Sequence, residues 1–380
     1  MSTVTERANY NSKYLDYEEF AKKILNYTSV PYQIELQPGR EKGKALCWMQ
    51  CPYCYGGSAK NSGDRLPVER YKEIIKEVAS GPNGRIEKLI LAGYATDPLN
   101  YEHFDQLFET SVKNNFITGM HTKLLKISNK FLEIVSDKAI RDKSYVSISV
   151  DAGRKESYNV THGIKSTLDI LGKIYKNIEK VKQKKNNKVD INTTYLLTTF
   201  NSSIEEVSKS IDDLSSLGVN TLRFSFPQVP RNYNYNQKGN IFIEDRKNLI
   251  DKIEELISSK KNISTFVSIV DPDTKYNINQ LRAIPCYARF AHPAIGLDGY
   301  LYHCSESSSP DFHNQSLGNL KDNNFWDLYY SYDKDEVEKS FKLMEKNKCM
   351  CDRKLFIVNK EFQKTGLLNN HNFKKTSNQS

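Results

Sequence analysis

The sequence predicts an α/β fold, a partial (β/α)6 TIM-like barrel followed by a small C-terminal α+β domain, on three observations. Strand-like runs at 32–36, 88–92, 116–121, 145–150, 190–198 and 221–226 are separated by amphipathic stretches of helical period. In 68–79 that period sets Tyr71, Ile74, Ile75 and Val78 on one face, and 204–217 stops at Gly218, where a helix C-terminus favours glycine. Such alternation pairs the strands in parallel with helices outside. Six strands make an incomplete barrel whose chemistry belongs at the C-terminal strand ends. From about Leu281 the texture changes to short strands, turns and cysteines.

The expected divisions are an N-terminal helical extension (1–31), the barrel (32–262), a linker (263–280), the cysteine-bearing domain (281–352) and a C-terminal tail (353–380). In the extension, 14–27 places Leu15, Phe20, Ile24 and Leu25 roughly on one face, as a packing helix does. Residues 241–262 read as the last barrel helix, and 264–270 is a candidate further strand. From Asn369 the tail is polar and expected to be disordered.

Composition narrows the function classes. Fifty-five Lys and Arg against 46 Asp and Glu give a net charge of +9, which raises nucleic acid or an anionic membrane as partners. Lys, Asn, Ile and Tyr are enriched together along the whole chain, however, and no nucleic-acid module accompanies the charge. The densest basic run, KVKQKKNNK at 180–188, reads as a helix end and loop in solvent. No apolar run approaches the roughly 20 residues that span a bilayer, and the N-terminus has no apolar signal core. A cytoplasmic protein is expected, with no membrane partner and no nucleic acid. Seven cysteines in a reducing compartment then read as metal ligands or reactive thiols.

Cys47, Cys51 and Cys54 lie in ALCWMQCPYCYGG, one loop after the first strand. From a single loop, three thiolates at this spacing bind three irons of a cubane and leave the fourth without a protein ligand. Structural zinc wants four ligands in closed geometry, so zinc or plain thiols are the weaker alternatives. CWMQCPYC, including the aromatic Tyr53 before the third cysteine, resembles the signature of radical S-adenosylmethionine (radical SAM) enzymes. The resemblance implies a [4Fe-4S] cluster whose open iron is chelated by methionine's amino and carboxylate groups. It also implies reductive cleavage of S-adenosylmethionine to a 5'-deoxyadenosyl radical, and a reductant such as flavodoxin or ferredoxin.

Other segments extend the resemblance. LILAGYATDPL ends the second strand and is similar to the family's Gly-Gly-Glu-Pro motif, which holds the methionine amino group. Here Tyr94 stands for the second glycine, the segment is one residue longer, and Asp97 stands for Glu. Gly93 permits close backbone approach, and Asp97 offers oxygens to an ammonium; a plain strand-ending turn is the alternative. In YVSISVDAG, Ser147, Ser149 and Asp151 share a face by the period of two, and the family's corresponding Ser-x-Asp region faces ribose and methionine. An Asp151 that merely caps the next turn is the competing reading. The following ESYNVTHG is similar to a segment that often reads E-x-Y-D-x-I-R-G. Lys123, Asn201 and Arg223 are candidates for the barrel mouth, whereas His121 and His162 read as packing or turn residues.

Cys286, Cys304, Cys349 and Cys351 form the second group, with Leu297-Asp298-Gly299-Tyr300 reading as a hairpin turn between the first two. Their order resembles the twitch form of the SPASM extension and implies a small iron–sulfur domain with a second, auxiliary [4Fe-4S] cluster; the single residue between Cys349 and Cys351 departs from the usual two. A four-thiolate zinc site fits the same count. Three plus four ligands exhaust the seven cysteines, leaving no thiol to return a hydrogen atom, which favours net oxidation over epimerisation. The twitch-bearing dehydrogenase of aminocyclitol antibiotic pathways points the same way. With 46 residues before Cys47, a separate leader-binding domain of about 50 residues is not expected. The first-choice substrate is a small molecule such as a sugar, aminocyclitol or nucleotide-linked sugar. Peptide maturation, radical epimerisation, and a non-catalytic zinc protein that binds nucleic acid follow in that order.

Overall fold

The structure, a computed structural model, describes residues 15–39, 47–49, 51–54, 65–93, 96–165, 167–227, 241–260, 263–270, 286–308, 310–332 and 353–368. Strands β1 (Gln33–Leu36), β2 (Lys88–Leu91), β3 (Ile117–Thr122), β4 (Ser144–Ser149), β5 (Val189–Leu196), β6 (Thr221–Ser225) and β7 (Phe266–Val270) run in parallel in sequence order. The sheet is open, as expected of a partial barrel. The seventh strand is the candidate further strand at 264–270, within the stretch 263–280. Its Val267 and Ile269 are buried while Phe266 and Ser268 are only partly so, the period of two that pairing with β6 requires.

Helices α1 (Tyr17–Leu25), α2 (Val68–Ala79), α3 (Phe104–Lys113), α4 (Asn129–Ser136), α5 (Lys155–Thr161), α6 (Ile170–Lys184), α7 (Ile204–Ser216) and α8 (Arg246–Ser259) account for the helical stretches up to β7. In α2 the four residues picked out by periodicity are fully buried. Helix α8 is shorter than the expected 241–262: the Asp245 carboxylate accepts from the Asn248 N–H and starts it later. No helix among the described residues is long and apolar enough to cross a membrane.

The cysteine-bearing segment joins the barrel rather than standing apart from it. After α9 (Ala288–Ala291), β8 (Ala294–Ile295) pairs in parallel with β1, then turns through Gly299 (φ +80°) into β9 (Tyr300–Tyr302) and, further on, β10 (Gly318–Asn319). Helix α10 (Phe325–Tyr330) follows. The last helix, α11 (Arg353–Thr365), returns to α1, where Phe362 packs 5.0 Å from the Tyr17 ring and 5.5 Å from Phe20.

Residues paired across a parallel ladder face the same side, so the register defines rows. Val146, Ile148, Ile191, Leu222 and Phe224 form the buried side against the helices. The other side carries Ser149, Thr194, Arg223 and Ser268 in one row and His121, Ser147, Asn192 and Thr221 in the row below. The lower row of this concave face ends in Phe266, paired with Thr221; the other positions of both rows are polar.

One contact sets the direction of α5, which leaves the end of β4. Glu206 in the first turn of α7 is buried, and its Oε1 accepts from the Gly153 and Arg154 N–H groups, each at 2.9 Å. A Cβ on Gly153 would lie 2.4 Å from the Glu206 carbonyl oxygen, so only glycine allows this approach. Glu206→Ala strands the buried Gly153 donor and a partly buried one on Arg154, so urea unfolding should show a loss of about 1–3 kcal/mol, with Glu206→Gln losing less. Equal stability of the alanine variant would show that these donors do not need the carboxylate.

Candidate active site at the barrel mouth

The cysteine loop leaves β1 and rejoins the fold at Arg65, and both roots are fastened. Gln37 N–H donates to the Ile295 carbonyl (2.9 Å), Ser308 Oγ donates to Gln37 Oε1 (2.7 Å), and Arg65 bonds the Gly39 carbonyl (2.7 Å) and Glu102. The barrel strand and the C-terminal hairpin therefore support the loop together. Cys51 is buried and Cys54 half-buried, while Cys47 is exposed; the Cys54 N–H closes a turn onto the Cys51 carbonyl (3.1 Å). Burial pushes the Cys51 thiol up to about 12; the neighbouring Cys54 and Cys47 thiols add to this and the Lys123 ammonium opposes it. The bare Cys51 thiol stays protonated, so a metal must displace its proton to bind.

Asp151 sits at the centre. It is fully buried with φ +53°, a left-handed conformation that Asp adopts more readily than most residues. Its Oδ1 accepts from the Leu196 N–H (2.8 Å), and its Oδ2 accepts from Lys123 Nζ (2.7 Å) and Tyr53 Oη (3.3 Å). Asn201 Nδ2 fixes its backbone, donating to the Asp151 carbonyl at 2.7 Å. Ends of β3, β4 and β5 and the cysteine loop thus converge on one carboxylate. His162, at the C-cap of α5, completes the group with Nδ1 3.1 Å from Cys51 Sγ and 3.2 Å from Tyr53 Oη.

Asp97 lies alongside, with both oxygens engaged: Oδ1 by the Leu99 N–H (2.9 Å), Oδ2 by the Lys123 N–H (2.5 Å), and each by Thr122 Oγ1 (2.9 Å). The carboxylate caps a turn and ties the end of β2 to that of β3. Gly93 is required by packing, since a Cβ would lie 1.8 Å from the Thr96 carbonyl oxygen. Ser149 and Arg223 stand on the concave face, with Thr194 Oγ1 3.5 Å from Ser149 Oγ. Tyr94, Cys349 and Cys351 lie outside the described residues.

Of the expected site residues, the structure brings Cys47, Cys51, Cys54, Tyr53, Lys123 and Asp151 together. His162 was missed: a histidine beside a turn glycine reads as a cap, and only its position at the end of the helix that follows Asp151 hints at more. Among the buried hydroxyls without a hydrogen-bond partner are Thr96 Oγ1, next to Asp97, and Tyr158 Oη, within electrostatic reach of Cys51, Lys123, Asp151 and Asp97. Orphaned hydroxyls of this kind suit a site that takes a polar ligand. No three His, Cys, Asp or Glu side chains among the described residues converge to hold a single metal ion. Cys286 and Cys304 flank the β8–β9 hairpin; burial raises the Cys286 thiol, while the Ala288 N–H and the Asn359 side chain oppose that.

Residues 45–214 match the family model for the Radical SAM superfamily. Over those residues the chain is similar to a radical SAM domain, and that superfamily implies a [4Fe-4S] cluster and S-adenosylmethionine. Among solved structures, Streptococcus suis SuiB shares the fold at 14% identity, with a TM-score of 0.58 over 82% of this chain and 68% of that one. SuiB bound to S-adenosylmethionine matches at 14% identity with a TM-score of 0.61, covering 82% and 69%. SuiB bound to the precursor peptide SuiA matches at 15% with a TM-score of 0.60, covering 82% and 67%. No curated protein matches the sequence.

Asp151→Ala leaves the Lys123 ammonium without its carboxylate in a buried setting, which should cost about 3 kcal/mol in urea unfolding. Breaking the surface pair Lys209–Asp213 (2.8 Å) by Asp213→Ala should cost less than about 1 kcal/mol. Equal costs would deny Asp151 its place as the hub.

Proposed function

We propose that this protein is a radical SAM oxidoreductase that abstracts hydrogen from a polar small molecule held over the concave face of the sheet, for net oxidation. The observation that carries the reading is the trio Cys47, Cys51 and Cys54 at the barrel mouth, beside a buried ionic network and two unsatisfied hydroxyls. A [4Fe-4S] cluster bound there supplies the electron that breaks the sulfonium carbon bond of S-adenosylmethionine. The protein's part is orientation and exclusion of water.

The three thiolates hold three irons. Gly93 and the orphaned Thr96 hydroxyl would border the methionine end, with Asp97 shaping that strand end through the bonds it already makes. Asp151 and Ser149 stand towards the ribose, and Tyr53 and Lys123 fix Asp151. Arg223, exposed in mid-strand among Ser149, Thr194 and Ser268, offers a guanidinium among hydroxyls, which suits a hydroxylated substrate such as a sugar, aminocyclitol or nucleotide-linked sugar. An auxiliary [4Fe-4S] cluster in a SPASM/twitch-type domain, held by Cys286, Cys304, Cys349 and Cys351, would take up the second electron of an oxidation and use the last free thiols. A ferredoxin- or flavodoxin-like protein is the proposed reductant. Peptide modification is the second reading, favoured by the likeness to SuiB, one structure of which holds a precursor peptide.

Replacing Cys47, Cys51 and Cys54 with Ala should abolish formation of 5'-deoxyadenosine under dithionite; production by the triple variant would refute the assignment. The reconstituted wild type should hold about eight irons per chain, four per cubane. About four irons with stoichiometric zinc would make the C-terminal cysteines a zinc site. Once a substrate is found, turnover in heavy water should leave no deuterium at the abstracted position, whereas incorporation on an inverted carbon would indicate epimerisation.

A further inference from the structure

His162 has no task in the reading above, although it touches a cluster ligand. It is fully buried, with the Tyr158 ring centroid 4.2 Å from its own. Its Nδ1 faces Cys51 Sγ at 3.1 Å and Tyr53 Oη at 3.2 Å; its Nε2 lies 3.5 Å from Lys123 Nζ and 3.4 Å from Asp151 Oδ2. A neutral imidazole has one proton to serve two nitrogens.

The neighbours decide which nitrogen carries it. Burial alone would lower the Lys123 ammonium, but Asp151, Tyr158 and Cys51 outweigh it and hold the group protonated. An ammonium only donates, so a nitrogen paired with it presents a lone pair. A cysteine thiolate bound to iron only accepts, so a nitrogen facing it presents N–H. Both ends of the ring therefore call for the proton on Nδ1. The other tautomer would donate from Nε2 to Asp151 but would set a lone pair against the thiolate across 3.1 Å. Tyr53 Oη donates to Asp151 and leaves a lone pair near the same N–H, which is shared between oxygen and sulfur.

We propose that His162 is a positioning residue that donates a hydrogen bond from Nδ1–H to the Cys51 thiolate, with Lys123 selecting the tautomer, and so raises the reduction potential of the cluster on Cys47, Cys51 and Cys54. The inference rests on the cluster reading above. Hydrogen bonds to cluster sulfurs stabilise the more negative, reduced form, so removing one shifts the potential down. The ring is anchored from the far side by a buried ion pair, so the donor keeps its direction without help from substrate.

The test uses the full chain, reconstituted anaerobically, with iron and sulfide measured beside each potential. His162→Phe should keep its iron but show a more negative midpoint in an EPR-monitored titration. His162→Asn, whose amide places a donor near the Nδ1 position, should recover part of the shift. Reduced wild type labelled with ¹⁵N-histidine should show a nitrogen hyperfine coupling in pulsed EPR that the phenylalanine variant lacks. Equal midpoints at equal iron content, or no histidine coupling in the wild type, overturn the hydrogen bond while the cluster stands. If His162→Phe loses its cluster, the labelled wild type and the asparagine variant decide. A wild type that assembles no [4Fe-4S] cluster overturns both the cluster reading and this inference.

Discussion

The buried carboxylate of Asp151 is the constraint on which the site depends. Three strand ends and the cysteine loop would otherwise be independent segments, each carrying polar groups that burial makes costly. Lys123 from the end of β3, Tyr53 from the loop and the Leu196 N–H from the end of β5 meet at its two oxygens. Its left-handed backbone, bonded by Asn201, turns the chain from β4 into α5, and Glu206 holds that turn from the next helix. Position and charge balance are thus set by the same few contacts. Such a network rigidifies a site when every member is satisfied and is costly when one is removed.

The parallel sheet explains why these residues can meet at all. Every strand from β1 to β7 points the same way, so the loops that follow them open at one mouth. The hairpin β8–β9 adds a second support, since its parallel pairing with β1 places the Leu297–Gly299 turn against Gly39 and Leu66 at the two roots of the cysteine loop. Contacts between α1 and α11 bring the two described ends of the chain together on the same body. The segment that carries Cys286 and Cys304 is therefore mechanically continuous with the barrel that carries the first trio.

Local features were legible in the sequence and distant pairings were not. Helix α2 followed from periodicity alone because its buried face is continuous, and the end of α7 followed from its Gly218 stop. The cysteine trio could be read because its ligands share one loop. The seventh strand could be read at 264–270, where the buried Val267 and Ile269 alternate with partly exposed neighbours. Pairing of β8 with β1 joins residues some 260 positions apart and leaves no local trace. Asp97 could be placed at a strand end, but the donors that occupy its oxygens come from β3, beyond the reach of motif reading. His162 shows the same limit more sharply, because its neighbours Cys51, Lys123 and Asp151 come from three different segments.

The central claim is that the trio at the mouth leaves one iron open and that S-adenosylmethionine occupies it. The most direct measurement is the EPR spectrum of the dithionite-reduced, reconstituted protein with and without S-adenosylmethionine labelled with ¹⁵N at the amino group. The account predicts a change in the signal on addition of the cofactor and a nitrogen hyperfine coupling from the label. A reduced-cluster signal that is the same with and without the cofactor would contradict it.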